Sequence, residues 1–170
     1  EITHRDVLEW GEGTIFLLVP DADNAISMHD ANHRVPGNSE VPEFAGQLAE
    51  LATAFPGNCY MVGNNLMRGD DADRLSYLSD IAEKYSVPLV AGNDVHMHSP
   101  TRRHLADILA CIREKCTIDE AGYQLAPNAE CRLKAPSEMA LLFRDYPDAV
   151  ARTVEIAERC DFTLDELRYE

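Results

Sequence analysis

A chain of 170 residues is long enough for one domain with a buried core, and 45% hydrophobic residues with 9 Gly and 9 Pro mark it as globular. Thirty acidic against fifteen basic residues give a formal charge of −15, which repels a nucleic-acid backbone and excludes a DNA-gripping module working by its own surface charge. Five scattered cysteines (Cys59, Cys111, Cys116, Cys131, Cys160) form no C-x-x-C pair, which excludes a zinc knuckle and suits reduced thiols in a cytosolic protein better than a disulfide framework.

Apolar runs such as Thr14 to Val19 are far too short to cross a bilayer, and no basic region precedes an apolar segment at the start, so a cytoplasmic location is expected. A start at Glu1 without Met and a charged end at Leu167-Arg-Tyr-Glu170 suggest a piece of something longer.

Thr3 can cap a short helix through Trp10, stopped by Gly11 or Gly13, and Thr14 to Val19 then reads as a buried strand ended by Pro20. From Asp21 to Glu40 the chain is polar and aperiodic, an exposed loop whose His29 and His33 read as loop residues rather than ligands. Phe44, Leu48, Leu51 and Phe55 stand at helical spacing, and Pro56-Gly57 stops that helix before a second short strand over Asn58 to Val62. Asp70, Asp71 and Asp73 suit the positive end of a helix running to about Tyr85, with Leu75, Leu78, Ile81 and Ala82 facing the core.

Pro88 leads into a third strand that ends in Gly92. The rhythm is that of a parallel α/β sheet or barrel, and three strands cannot close a barrel. The remainder is helical. Leu105, Ile108, Leu109 and Ile112 share one face, Thr117-Ile-Asp-Glu120 is a capping box, and Pro136 and Pro147 each occupy a first helical position. Thr163-x-x-Glu166 begins one more turn.

The chemistry concentrates after the third strand, in Val87-Pro-Leu-Val-Ala-Gly-Asn-Asp-Val-His-Met-His98. Asp94 and His96 alternate along an extended backbone, so their side chains point the same way and can close on one cation; carboxylate oxygen with imidazole nitrogen suits Zn²⁺, Mn²⁺ or Fe. By residue type alone, a helix-capping Asp and a hydrogen-bonded His are the more ordinary reading. His98 alternates in phase but lies near the helix start and reads equally well as a surface residue. A hydrolytic metal centre needs three or more protein ligands, and nothing outside this stretch supplies the usual H-x-H cluster.

Elsewhere the residues read as structural. His4 is isolated, and His104 is expected to be exposed in the first turns of its helix. Cys59 and Tyr60 read as packing residues, and the helix dipole accounts for Asp70-Asp71. No G-x-S-x-G, G-x-x-x-x-G-K-[ST] or post-strand G-x-G-x-x-G occurs, which excludes the serine-hydrolase, P-loop and dinucleotide motifs.

As a string, Leu89-Val-Ala-Gly-Asn-Asp-Val-His-Met-His98, then Arg102-Arg-His-Leu-Ala-Asp-Ile-Leu-Ala-Cys-Ile-Arg113, Asn128-Ala-Glu-Cys-Arg-Leu-Lys134, Pro136-Ser-Glu-Met139 and Thr153-Val-Glu-Ile-Ala-Glu-Arg-Cys160 resembles the C-family bacterial DNA polymerases, kin of the DNA polymerase III alpha subunit. Phe162-Thr-Leu-Asp-Glu-Leu-Arg-Tyr-Glu170 and the Met-His after Asp-Val-His are most similar to their error-prone, damage-tolerant branch. The resemblance is strong from about Asp70 onward and looser before it.

It implies the later βα units of a polymerase-and-histidinol-phosphatase (PHP) barrel over residues 1–100, then the helical end of that domain and its connection towards the polymerase palm over residues 101–170. It also implies that Asp94 and His96 are two metal ligands, that the early H-x-H ligands lie before Glu1, and that the Mg²⁺-binding palm carboxylates lie after Glu170. The parent is implied to bind DNA and deoxynucleotides through other domains, to work beside other damage-tolerance or replication proteins, and to need no membrane. A structural or docking module with a degenerate site, or a free-standing PHP phosphoesterase, are the alternative readings.

Overall fold

Three parallel strands, paired in the order β1-β2-β3, carry the fold in a computed structural model that describes residues 3–20 and 43–163. The elements are α1 (His4–Trp10), β1 (Phe16–Leu18), α2 (Glu43–Ala54), β2 (Cys59–Asn64), α3 (Asp71–Lys84) and β3 (Leu89–Gly92). A 3-10 turn (Pro100–Arg102) then leads to α4 (Arg103–Glu114), α5 (Ile118–Ala121), a second 3-10 turn (Gly122–Gln124), α6 (Pro136–Leu142) and α7 (Pro147–Arg159). Their order and type follow the sequence reading, with ends shifted by a few residues, except that the first strand is not buried: it is three residues long at the edge of the described sheet, with Leu17 51% exposed. His29, His33 and the turn expected at Leu164 to Glu166 lie outside the described residues.

Phe16 stands opposite Cys59, Met61 opposite Leu89, and Asn64 opposite Gly92. Because successive strand side chains point to opposite faces, Cys59 and Met61 enter one core and Tyr60 and Val62 the other. The first core adds Leu48 and Leu51 of α2, Leu78, Ile81 and Ala82 of α3, and Leu89. On the second face Tyr60, Val62 and Val90 are covered by Ile15 and by Ile156 of α7. Both faces of β2 are thus buried, which is why its sequence is continuously apolar rather than alternating.

Hydrogen bonds fasten α7 to this sheet. Tyr60 donates its hydroxyl to Glu155 Oε1 at 2.9 Å, Arg152 donates to the Leu89 carbonyl at 2.9 Å, and Arg159 donates to the Gly57 carbonyl at 2.9 Å and to Asn58 and the Tyr60 hydroxyl. Gly92 sits where a Cβ would come within 2.5 Å of Val62 Cγ1 and 2.6 Å of Asn64 Oδ1, so a side chain here would collide with two neighbours on β2.

Helix α4 packs mainly on α5 and on the turn before it. Its apolar face is therefore open, with Leu109 58% and Ile112 68% exposed. Lys115 ends the helix in the left-handed conformation, at φ 56°. The capping boxes at Thr3 and Thr117 both form.

Candidate functional site at the carboxyl edge of the sheet

All three strands run the same way, so the loops that leave them collect along one edge. A cleft of about 250 Å³ lies there, lined by Val19 after β1, Asn64 at the end of β2, Arg68, Asp71 and Arg74 around the start of α3, and Asp94 beyond β3. The Asn64 Oδ1 atom is buried without a hydrogen-bond partner.

Asp71 is the structural centre of the β2–α3 loop. Its buried carboxylate accepts from the backbone N–H groups of Leu66 at 2.8 Å, Arg68 at 2.6 Å and Gly69 at 3.2 Å. The sequence reading assigned Asp70 and Asp71 alike to the helix dipole. Asp70 does hold the N-cap position, but its side chain makes no capping bond, whereas Asp71 turns back to organise the loop.

Past β3 the backbone does not stay extended, contrary to the alternation expected through His98. Asp94 has φ 39°, the left-handed region that Asp tolerates better than most residues but that still costs on the order of 1 kcal/mol. The turn brings Asp94 Oδ1 to 3.1 Å from His96 Nε2, with the side chains 44% and 61% exposed. His98 is exposed and takes no part in this pair. Asp94 is not a helix cap either, because the following 3-10 turn has Ser99 at its N-cap. The imidazole and the carboxylate stand at ion-pair distance.

A spacing of 3.1 Å is that of a close ion pair. It is also roughly the separation, about 3 Å, of two adjacent donors on a cation bound at 2.0–2.2 Å. By distance alone the two atoms are close enough to share a cation. Among the described residues no group of three or more His, Cys, Asp or Glu side chains could hold a metal ion, so these two donors are not a complete centre.

A distant stretch, Asn128 to Lys134, supports the pair. The Cys131 carbonyl accepts from His96 N at 2.9 Å and Met97 N at 3.2 Å, and Leu133 N donates back to the Met97 carbonyl at 3.0 Å. Cys131 Sγ donates to Asp94 Oδ2 at 3.8 Å. Burial pushes the Cys131 thiol up and the Asp94 carboxylate adds to that, in keeping with its role as a donor to Asp94.

Asn128 donates to the Leu66 carbonyl at 2.7 Å and the Met67 carbonyl at 3.2 Å, tying the same stretch to the β2–α3 loop. Lys134, its side chain wholly buried, donates to Asn93 Oδ1 at 2.7 Å and to the Glu130 carbonyl and pairs with Glu130 Oε2 at 3.2 Å; Asn93 donates its amide to the Arg132 carbonyl.

The remaining sequence candidates fall out as structural. His4 pairs with Glu50 at 2.8 Å, His104 is exposed, and Cys59 and Tyr60 are core residues, with burial raising the Cys59 thiol. The edge also holds Arg68, Arg74, Asp71 and Lys134, for which the sequence reading gave no site role. The polar residues of Asn128 to Lys134, repeated through a stretch without helical periodicity, were the available signal for the last.

Among known proteins, the chain is 39% identical over 99% of its length to an error-prone DNA polymerase of Bradyrhizobium diazoefficiens, of which it covers 13%. It is 39% identical over 97% of its length to error-prone DNA polymerase 1 of Agrobacterium fabrum, and 38% identical over 98% to an error-prone DNA polymerase of Caulobacter vibrioides, covering 14% of each. The chain thus spans about one seventh of the length of these relatives and resembles a segment of them. No protein-family model matches it.

Proposed function

We propose that the chain is a segment of an error-prone DNA polymerase of the C family, whose whole polypeptide carries out template-directed DNA synthesis across damage. The observation that carries this is similarity along 97–99% of the chain to polymerases bearing that name. The same similarity weighs against a free-standing phosphoesterase.

In this reading residues 1–100 belong to the later βα units of a PHP-type barrel and residues 101–170 lead towards the palm; the parallel sheet with its crossover helices supports it. DNA, deoxynucleotides and the catalytic Mg²⁺ are bound by other domains, in the cytoplasm and alongside other damage-tolerance or replication proteins. No helix among the described residues is long and apolar enough to cross a membrane. The test is primer extension on intact and abasic templates. Extension past the lesion by the full polypeptide, and none by residues 1–170 alone, is the expected result; a full polypeptide that extends neither template overturns the reading.

Asp94 and His96 contribute two ligands to a divalent metal, Zn²⁺, Mn²⁺ or Fe, whose other ligands come from elsewhere in the polypeptide. A metal there supplies Lewis acidity towards a phosphodiester. The part played by this chain is to hold a carboxylate and an imidazole 3.1 Å apart at an open strand edge. Metal content of the full polypeptide should fall in Asp94→Ala and His96→Ala, and equal content in all three proteins would remove the assignment. A second reading, a bracing module with a degenerate site, is favoured by the acidic composition and by the lack of a third donor beside the pair among the described residues. Lower thermal stability with unchanged metal content and unchanged synthesis in the same variants would support it.

A further inference from the structure

A fully buried lysine is rare, because an ammonium group leaves water only where other groups replace its hydration. The side chain of Lys134 is buried in this way in a strongly acidic chain, though its backbone is partly exposed, and its contacts are unevenly directed. Two are to Glu130, four residues earlier; the third, to Asn93 Oδ1 at 2.7 Å, spans forty-one residues. Asn93 immediately precedes Asp94, whose left-handed backbone brings its carboxylate to His96. A non-glycine residue keeps such a conformation only where its surroundings over-determine it.

Asp94 faces the cleft, and the hydrogen bonds that hold the backbone on either side of it come from one segment. On the amino side, the Asn93 side chain is held at both ends, by Lys134 and by the Arg132 carbonyl. On the carboxyl side, the His96 and Met97 N–H groups both reach the Cys131 carbonyl. Asp94 and Val95 are spanned between these two anchors. The segment is itself fixed to the start of α6 by the bidentate ion pair of Arg132 with Glu138.

We propose that Lys134 is a positioning residue for the Asp94–His96 pair: by gripping Asn93 it holds Asp94 in its left-handed conformation and so sets the carboxylate against the imidazole. This deepens the metal-ligand reading and rests on it for its functional meaning, while its geometry stands without a metal. Lys134 itself touches neither side chain of the pair. A lysine that merely filled space would act on the surrounding core; one acting through Asn93 acts on the 93–99 loop alone.

The experiment is hydrogen–deuterium exchange of the full natural polypeptide, read on a peptide covering residues 93–99 and a control peptide covering β2, residues 59–64. Lys134→Met should speed exchange at the His96 and Met97 amides about tenfold or more and leave the control within about twofold. Asn93→Ala should do the same from the other end of the contact, and it remains informative if the lysine variant folds poorly. In the double variant the two effects should not multiply, because both cut one connection.

Parallel acceleration of the β2 peptide, no acceleration of the 93–99 peptide, or full multiplication in the double variant would overturn the proposal. Mn²⁺ titration of the same proteins separates it from the reading beneath it. Weaker Mn²⁺ binding in Lys134→Met and Asn93→Ala is expected. If Asp94→Ala and His96→Ala bind Mn²⁺ as the parent does, the metal reading fails while the exchange result still decides the positioning role.

Discussion

Replacing Asp71 by Ala removes the acceptor for three backbone N–H groups at once. Hydrogen bonds to a charged group contribute about 1.5–3 kcal/mol each, but the three are not additive. Arg68 and Gly69 are exposed, so water re-solvates their N–H groups at small cost; Leu66 is 3% exposed, and its N–H is stranded. The stranded donor accounts for about 1–3 kcal/mol and the other two together for about 1, giving a loss near 3 kcal/mol. That is a large share of the roughly 5–15 kcal/mol that stabilises an ordinary domain.

Asp71→Asn keeps one acceptor oxygen without its charge and should lose about half as much, near 1.5 kcal/mol. Asp70→Ala is the control, because Asp70 makes no capping bond, and it should stay within about 0.5 kcal/mol of the parent. Urea unfolding of the chain followed by circular dichroism gives all three values. Equal losses at positions 70 and 71, or a loss under about 1 kcal/mol in Asp71→Ala, would refute the assignment of the loop to this carboxylate.

The Arg132 guanidinium beside Glu138 lowers the pKa of that carboxyl from the ordinary 4.5. A lowered folded-state pKa means stability that is present above the unfolded-state value and lost as pH falls through the folded one. Glu138→Gln should therefore unfold at lower urea than the parent at pH 7, with the gap closing as pH drops below 4.5; a constant gap would contradict the ion pair. Gly92→Ala forces a methyl against Val62 and Asn64 and should cost about 1–3 kcal/mol by the same assay. Lys115→Gly relieves the left-handed end of α4, at φ 56°, and should raise stability by about 0.5–1 kcal/mol; no gain would mean that other contacts hold the lysine there.

The helices and strands were legible because their signals are local. Leu75, Leu78, Ile81 and Ala82 repeat at the helical period and are buried, and Thr117 with Glu120 forms its box from residues three apart. The apolar face of α4 was equally legible, but its exposure was not, because periodicity tells which residues share a face and not what lies opposite. At the site, Asp94 and His96 do meet, though not by the strand alternation expected. They meet through a left-handed turn, supported by Asn93, Cys131 and Lys134, and such contacts across some forty residues leave no period to read. Asp71 and Asp70 look alike in sequence and differ only in which backbone N–H groups lie within reach once β2 has turned into α3.

The strands lie in the sheet in the order in which they occur in the chain. A ribosome emitting this polypeptide hands each new strand a partner already made, so β2 can add to β1 and β3 to β2 without waiting for anything downstream. What waits is α7, which adds Ala149 to one core and Ile156 over Tyr60, Val62 and Val90 on the other face only after about sixty further residues have been synthesised beyond β3. A nascent chain arrested before Pro147 therefore carries the three described strands with Tyr60, Val62 and Val90 lacking their Ile156 cover, the form of this polypeptide that a chaperone has most reason to hold.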